Sequence, residues 1–218
     1  MVDEVRHALA SFREEFLGTP TLFFTEHDVA SRLYHLVQEE LGYTQVKAAD
    51  GTLHYLVHHE YPTPFRCDMN GSTFSVMDED TRTPKGGKFR RGHYDLVVFN
   101  PDFISRTNLG VVRGQDYAVL RHDLPDTMAS LGQAPISIGI ELVFNRIPFR
   151  SEHQIERWCR FVLQDHAKLA ASGKWMGRNF MKDMVVVAIN ACSSPDSDSL
   201  IREILGRHET ITYWSSSA

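Results

Sequence analysis

The stretch ISIGIELVFNR, residues 136–146, decides how this chain is read. Its isoleucines, leucine and valine mark a strand with apolar neighbours on both faces, yet Glu141 stands in the middle of the run. An ionised carboxylate in such a place is costly unless it is paired, hydrogen-bonded or bound to a cation. A second run, HYDLVVF at 93–99, carries Asp95 in the same way. Carboxylates on neighbouring strands repel one another and raise each other's pKa. A divalent cation removes that repulsion, and oxygen ligands suit Mg²⁺. A cation so held can activate water and neutralise charge building on a phosphodiester. A single acid in a strand is more often an edge residue or the partner of an arginine, here Arg90, Arg91 or Arg146. Two such acids in interior runs favour a shared site.

Outward from these strands, the chain alternates helical and extended patterns. Val5, Leu9, Phe12 and Phe16 have helical spacing over residues 3–17, and LGTP ends that helix. TEHD at 25–28 has the form of a capping box and opens a helix on Val29, Leu33, Leu36, Val37 and Leu41. LHYLVHHEYPT reads as a strand halted by Pro62 and Pro64. STFSVMDED and GHYDLVVFNPDF read as two more strands joined in a hairpin by a basic, glycine-containing loop. Residues 101–135 give no clear pattern, and NLGVVRGQDYAVLRHDL within them fits a short helix or irregular chain. After Pro148, SEHQ starts a helix that runs to about Ala171. MVVVAINAC is a continuous apolar strand, SDSLIREILGRH a short helix and ETITYW an edge strand. The expected architecture is a single α/β domain over 1–218, with a mixed central sheet flanked by helices.

At 218 residues, 42% hydrophobic and 23% charged, the chain is long and apolar enough to bury a core. No apolar run approaches the roughly 20 residues needed to cross a bilayer, and the first residues lack a signal-peptide core. The expectation is a soluble, cytoplasmic protein with no membrane partner. Cys67, Cys159 and Cys192 are odd in number and far apart, so free thiols are expected. A net charge of −5 gives no global attraction to polyanions, so any nucleic-acid contact must be local. TRTPKGGKFRRGHYD, residues 81–95, is that local patch: Lys85, Lys88, Arg90 and Arg91 are its phosphate-contact candidates, weighed against a solvated hairpin turn. Oligomeric state is left open, a homo-oligomer included.

GHYD, then IEL in the next strand, then SEHQIERW opening a helix, together resemble the PD-(D/E)xK phosphodiesterase superfamily, the restriction-endonuclease-like fold. The RecB-type branch is similar in having a glycine three residues before the aspartate, here Gly92 before Asp95. Its helical glutamine would be Gln154, though Trp158 stands where that branch has tyrosine. The resemblance implies an αβββαβ core over about 25–192, with an N-terminal helix and a C-terminal helix and strand added. It implies Mg²⁺ or Mn²⁺ held by Asp95, Glu141 and the Leu142 carbonyl, with Glu26 or Glu60 extending the shell and Gln154 orienting ligands. The implied activity is hydrolysis of DNA or RNA phosphodiesters by metal-activated water.

The superfamily's lysine, two residues after the glutamate, is Val143 here. That lysine positions water and stabilises developing negative charge, which valine cannot do. Either another cation has moved in, from Arg146, Lys168, Arg91 or His93, or the site binds without cutting. His93 is a catalytic candidate because it lies two residues from Asp95 on the same strand. A non-catalytic domain that binds nucleic acid or protein is the first alternative, and a structural protein with salt-bridged acids the second. The eleven histidines show no HExxH spacing, and only His58 and His59 beside Glu60 form a cluster. No P-loop, Rossmann fingerprint or nucleophile elbow occurs. Of the three tryptophans, Trp158, Trp175 and Trp214, the first lies on the apolar side of its helix and reads as core.

Overall fold

The computed structural model describes residues 1–68, 75–76, 90–113, 123–173 and 178–216. Helix α1 (Val2–Gly18) buries Val5, Ala8, Phe12 and Phe16, the expected helical stripe, and gives way to a short 3-10 turn at Pro20–Leu22. Helix α2 (Glu26–Glu40) opens on the expected capping box. The Thr25 hydroxyl accepts the Asp28 N–H at 3.1 Å, and the Asp28 carboxylate accepts the Thr25 N–H at 2.9 Å. That box fixes Glu26 at the first helical position. Arg32 ties the two helices together, donating from Nε and Nη2 to the Glu15 carboxylate.

Strands β1 (Gln45–Lys47) and β2 (Leu53–Tyr55) form a small antiparallel ribbon. The main sheet contains β3 (Val57–Asp68), β4 (Ser75–Val76), β5 (Arg90–Phe99), β6 (Ile136–Asn145), β7 (Met181–Asn190) and β8 (Ile211–Ser215) in the order β4-β3-β5-β6-β7-β8. Pairings from β4 to β6 are antiparallel, and β6, β7 and β8 run parallel. The long apolar strand β7 is therefore interior and β8 is an edge, as their patterns predict.

Two expectations at the other side of the sheet are corrected. Pro62 and Pro64 do not end the third strand, which continues to Asp68. Glu60 takes a positive φ of 51° and the register shifts between Pro62 and Arg66, so an irregularity absorbs residues that cannot donate to the ladder. Among the described residues the expected hairpin between STFSVMDED and GHYDLVVFNPDF is not formed: β4 pairs with β3, and β3 lies between β4 and β5. Residues 77–89, with Lys85 and Lys88, lie outside the described residues.

After β5 come three short helices, α3 (Pro101–Ser105), α4 (Leu109–Arg113) and α5 (Leu124–Leu131), within the stretch whose pattern was unreadable. Helix α6 (Glu152–Gly173) joins β6 to β7, and α7 (Pro195–Leu205) joins β7 to β8. From α2 to β7 the elements follow the order α2, β3, β5, β6, α6, β7 once the β1–β2 ribbon, the strand β4 and the short helices are set aside. One cluster of buried apolar residues extends from Val5 in α1 to Trp214 in β8. Among the described residues no helix is long and apolar enough to cross a membrane.

Candidate active site: a lysine among four carboxylates

The register of β5 and β6 brings the two strand acids together. Leu96 pairs with Ile140, so one further step along the ladder sets Asp95 level with Glu141. Beyond that pair the strands part, and side chains take over the backbone groups of β6. The Leu142 N–H donates to Asp95 Oδ2 at 2.7 Å, and the Phe144 N–H donates to Glu26 Oε2 at 3.1 Å. Two carboxylates thus occupy a fork between strands, which explains how acids persist where a continuous ladder would have none.

Helix α6 supplies the cation. Lys168 Nζ lies 2.8 Å from Glu141 Oε1 and 3.1 Å from Asp165 Oδ1, and it donates to the His93 carbonyl at 2.9 Å. The His93 contact is a hydrogen bond, the two carboxylate contacts are ion pairs, and Glu141 Oε1 is buried without a hydrogen-bond partner of its own among the described residues. Lys168 is 5% exposed and Glu141 1%, so the pair is closed to bulk water. The helix is held at this depth by Ser172, which accepts the buried Tyr94 hydroxyl at 2.5 Å and donates to the Lys168 carbonyl.

Burial governs the protonation of the group. Loss of solvent pushes Asp95 up to about 6 against the opposing pull of the Leu142 N–H and Lys168. Glu26 is pushed up to about 7 by burial, opposed by the Phe144 N–H and reinforced by Asp95 and Asp165. Glu141 and Asp165 are likewise driven upward by burial, with Lys168 as the chief opposing influence. Burial alone would lower Lys168, but Glu141 and Asp165 outweigh it and hold the ammonium above its usual range. Four carboxylates sharing one ammonium titrate as a unit, and the unit retains protons close to neutral pH.

Several sequence candidates fall elsewhere. Gln154 Oε1 accepts the Arg150 N–H at 2.7 Å in the first turn of α6. At 1.5 Å per residue it is about 17 Å along the helix from Asp165 and is not part of the cluster. His93 contributes its carbonyl to Lys168, while its side chain is exposed. Glu60 is exposed and acts on Asp95 only through its charge. Val143 is buried in the core. Arg146 is exposed, its carbonyl accepting the Cys192 thiol. Arg90 and Arg91 open β5, and their side chains lie outside the described set. His59 packs on Tyr34 with ring centres 4.5 Å apart, and His58 packs on His54 at 4.5 Å and edge-on to Phe99 at 5.5 Å, with burial driving His58 down to about 4. Trp158 is buried against Phe149, as its helical position predicts, and Trp175 lies outside the described residues.

Asp165 was not singled out from the sequence. Its signal is a charged pair, Asp165 and Lys168, three residues apart between the buried Val162 and Leu169 of the same helix. Comparison with protein-family models, with curated proteins and with solved structures finds no match for the chain.

The donors suit a hard cation in kind, since carboxylate and carbonyl oxygens are what Mg²⁺ and Mn²⁺ take. Among the described residues no three His, Cys, Asp or Glu side chains are grouped as metal ligands. The set implied for this site, Asp95, Glu141 and the Leu142 carbonyl, needs only two such side chains.

Proposed function

We propose that the chain is a metal-dependent nuclease of restriction-endonuclease-like architecture, in which Lys168 on α6 takes the place that Val143 leaves vacant. The observation that carries this reading is the buried ammonium 2.8 Å from the Glu141 carboxylate. The order α2, β3, β5, β6, α6, β7 supports it, because it is the αβββαβ succession the resemblance implies. So do the Asp95 and Glu26 carboxylates, which accept the N–H groups of Leu142 and Phe144, one and three residues after Glu141.

Asp95, Glu141 and the Leu142 carbonyl would hold Mg²⁺ or Mn²⁺, which supplies water activation and charge neutralisation at a phosphodiester of DNA or RNA. Lys168 keeps Asp165 and the His93 carbonyl as anchors when Glu141 turns to a cation. One of its N–H groups then faces the site and can hold a water or an equatorial phosphoryl oxygen. Glu26, with its pKa lifted to about 7, can take a proton from water at neutral pH.

The test is cleavage of DNA and RNA in Mg²⁺ or Mn²⁺. The wild type is expected to cut, and Asp95→Ala, Glu141→Gln and Lys168→Met to be inactive. Absence of cleavage by the wild type across both metals, both nucleic acids and pH 6–9 overturns the catalytic reading.

A second reading is favoured by the pairing of the Lys168 charge with Glu141 and Asp165 inside the protein. A neutralised, non-catalytic cleft that binds nucleic acid or protein needs only that internal compensation. It predicts oligonucleotide retention without cleavage, unchanged by chelation of metal.

A further inference from the structure

A cavity of about 590 Å³ opens at the beginning of β6 and β7, at the other end of the sheet from the strand fork. Its walls include Met128, Gln133, Arg178, Asn179, Met181 and Lys182. Among the described residues its lining holds two cations, two amides and no carboxylate, in a protein of net charge −5. None of the four polar side chains makes a hydrogen bond or ion pair within the described residues. The Gln133 amide oxygen is shielded from solvent and has no partner. The NH₂ end of the Gln133 amide is not shielded in this way and can donate to a ligand in the cavity.

We propose that this cavity binds a phosphate group, with Arg178 and Lys182 neutralising it and the Asn179 and Gln133 amides donating to it. Asp183 follows Lys182 in the chain, but its carboxylate is engaged elsewhere, with Arg6 at 3.0 Å and the Met184 N–H at 2.9 Å. The C-terminal end of α5 forms one wall and opposes an anion with roughly half a negative charge. Two full positive charges exceed that, and Gly132 in a left-handed conformation turns its N–H back onto the Met128 carbonyl at 2.9 Å. Arginine can also grip phosphate oxygens in a bidentate fork. Small phosphate ligands and nucleic-acid backbones both present this group, and the two are told apart by titration. Glu141 is five residues from the start of β6, about 17 Å at strand spacing, so a backbone could lie across both places.

The test titrates inorganic phosphate, against chloride at matched ionic strength, and a 5′-phosphorylated hexanucleotide in EDTA, following backbone amide NMR shifts. Saturable shifts at Gln133, Asn179 and Lys182 are expected, and the Arg178→Gln/Lys182→Gln double variant should bind at least tenfold more weakly. Both substitutions are at exposed positions, so the fold is kept. Tighter binding of the hexanucleotide than of phosphate assigns the site to a backbone, and the reverse assigns it to a small phosphate ligand. Lack of saturable binding by either probe, or affinity unchanged in the double variant, overturns the proposal. The cavity shares no residue with the carboxylate cluster, so Asp95→Asn leaves phosphate binding intact whether or not the chain is a nuclease.

Discussion

Replacing Lys168 with methionine keeps most of the side-chain volume but removes the charge that bridges Glu141 and Asp165. Two buried carboxylates then lose their counter-charge, and breaking a buried pair in this way costs about 3–5 kcal/mol. The expected result is a lower denaturation midpoint in urea with an unchanged slope. Adding Glu141→Gln to Lys168→Met should restore much of that loss, because the orphaned charge goes with it. A double variant less stable than Lys168→Met would show that the ammonium is not compensating Glu141. Under the nuclease reading, Lys168→Met also lowers the cleavage rate by roughly 10²-fold or more, the usual loss for one transition-state donor. Asp95 and Glu141 could be found from the sequence because an acid inside an apolar run is conspicuous. Lys168 was only one of several cations the sequence offered as a partner for these acids, since no local rule says which helix residue reaches a given strand. Gln154 was singled out through the resemblance alone, and its side chain is used locally to hold the chain entering α6.

The fork between β5 and β6 makes a prediction about pH. In the folded chain Asp95 is raised to about 6 and Glu26 to about 7, each above its ordinary carboxylate value. Between about pH 4 and 7 the folded state therefore keeps protons that the unfolded state has lost. Stability from these groups is full below the unfolded pKa and declines as pH rises through the folded values. The melting temperature should thus rise when the pH is lowered from 7.5 towards 5, and Glu26→Gln with Asp95→Asn should flatten that slope. If both substitutions leave the slope untouched, the two carboxylates are not buried as described. Under the nuclease reading, Mg²⁺ at pH 7.5 should raise the melting temperature of the wild type more than that of Asp95→Asn, since ligand binding to the folded state alone is stabilising. The helices around this fork were legible: α2 starts at its capping box, and α6 follows SEHQ. The pairing of β4 was not, because two residues of edge strand carry no information about which neighbour they join. Nor was the passage of β3 through two prolines, which goes with a register shift between Pro62 and Arg66 that the residue types there do not announce.

The two ends of the chain meet in one core. Phe12 of α1 packs edge-on against Trp214 of β8 with ring centres 5.7 Å apart, and against Phe23 at 5.3 Å. The buried cluster that includes them continues through Leu33, Leu96, Ile140 and Val162 to Ile201, so every layer shares apolar contacts with the next. A chain built this way should unfold as one cooperative unit, with no separate melting of the N-terminal helix or of the α7–β8 extension. Far-ultraviolet circular dichroism and tryptophan fluorescence should give coincident transitions in urea. Phe12→Ala removes a fully buried ring that touches both termini, and a cost of about 3–5 kcal/mol is expected from the lost transfer energy and the cavity left behind. Because the ring belongs to the common core, both signals should shift together in that variant. If the fluorescence transition moves and the circular dichroism transition does not, the terminal elements form a separate unit around the αβββαβ succession. The carboxylate site would then be expected to survive their unfolding, since none of Glu26, Asp95, Glu141, Asp165 and Lys168 lies in α1, α7 or β8.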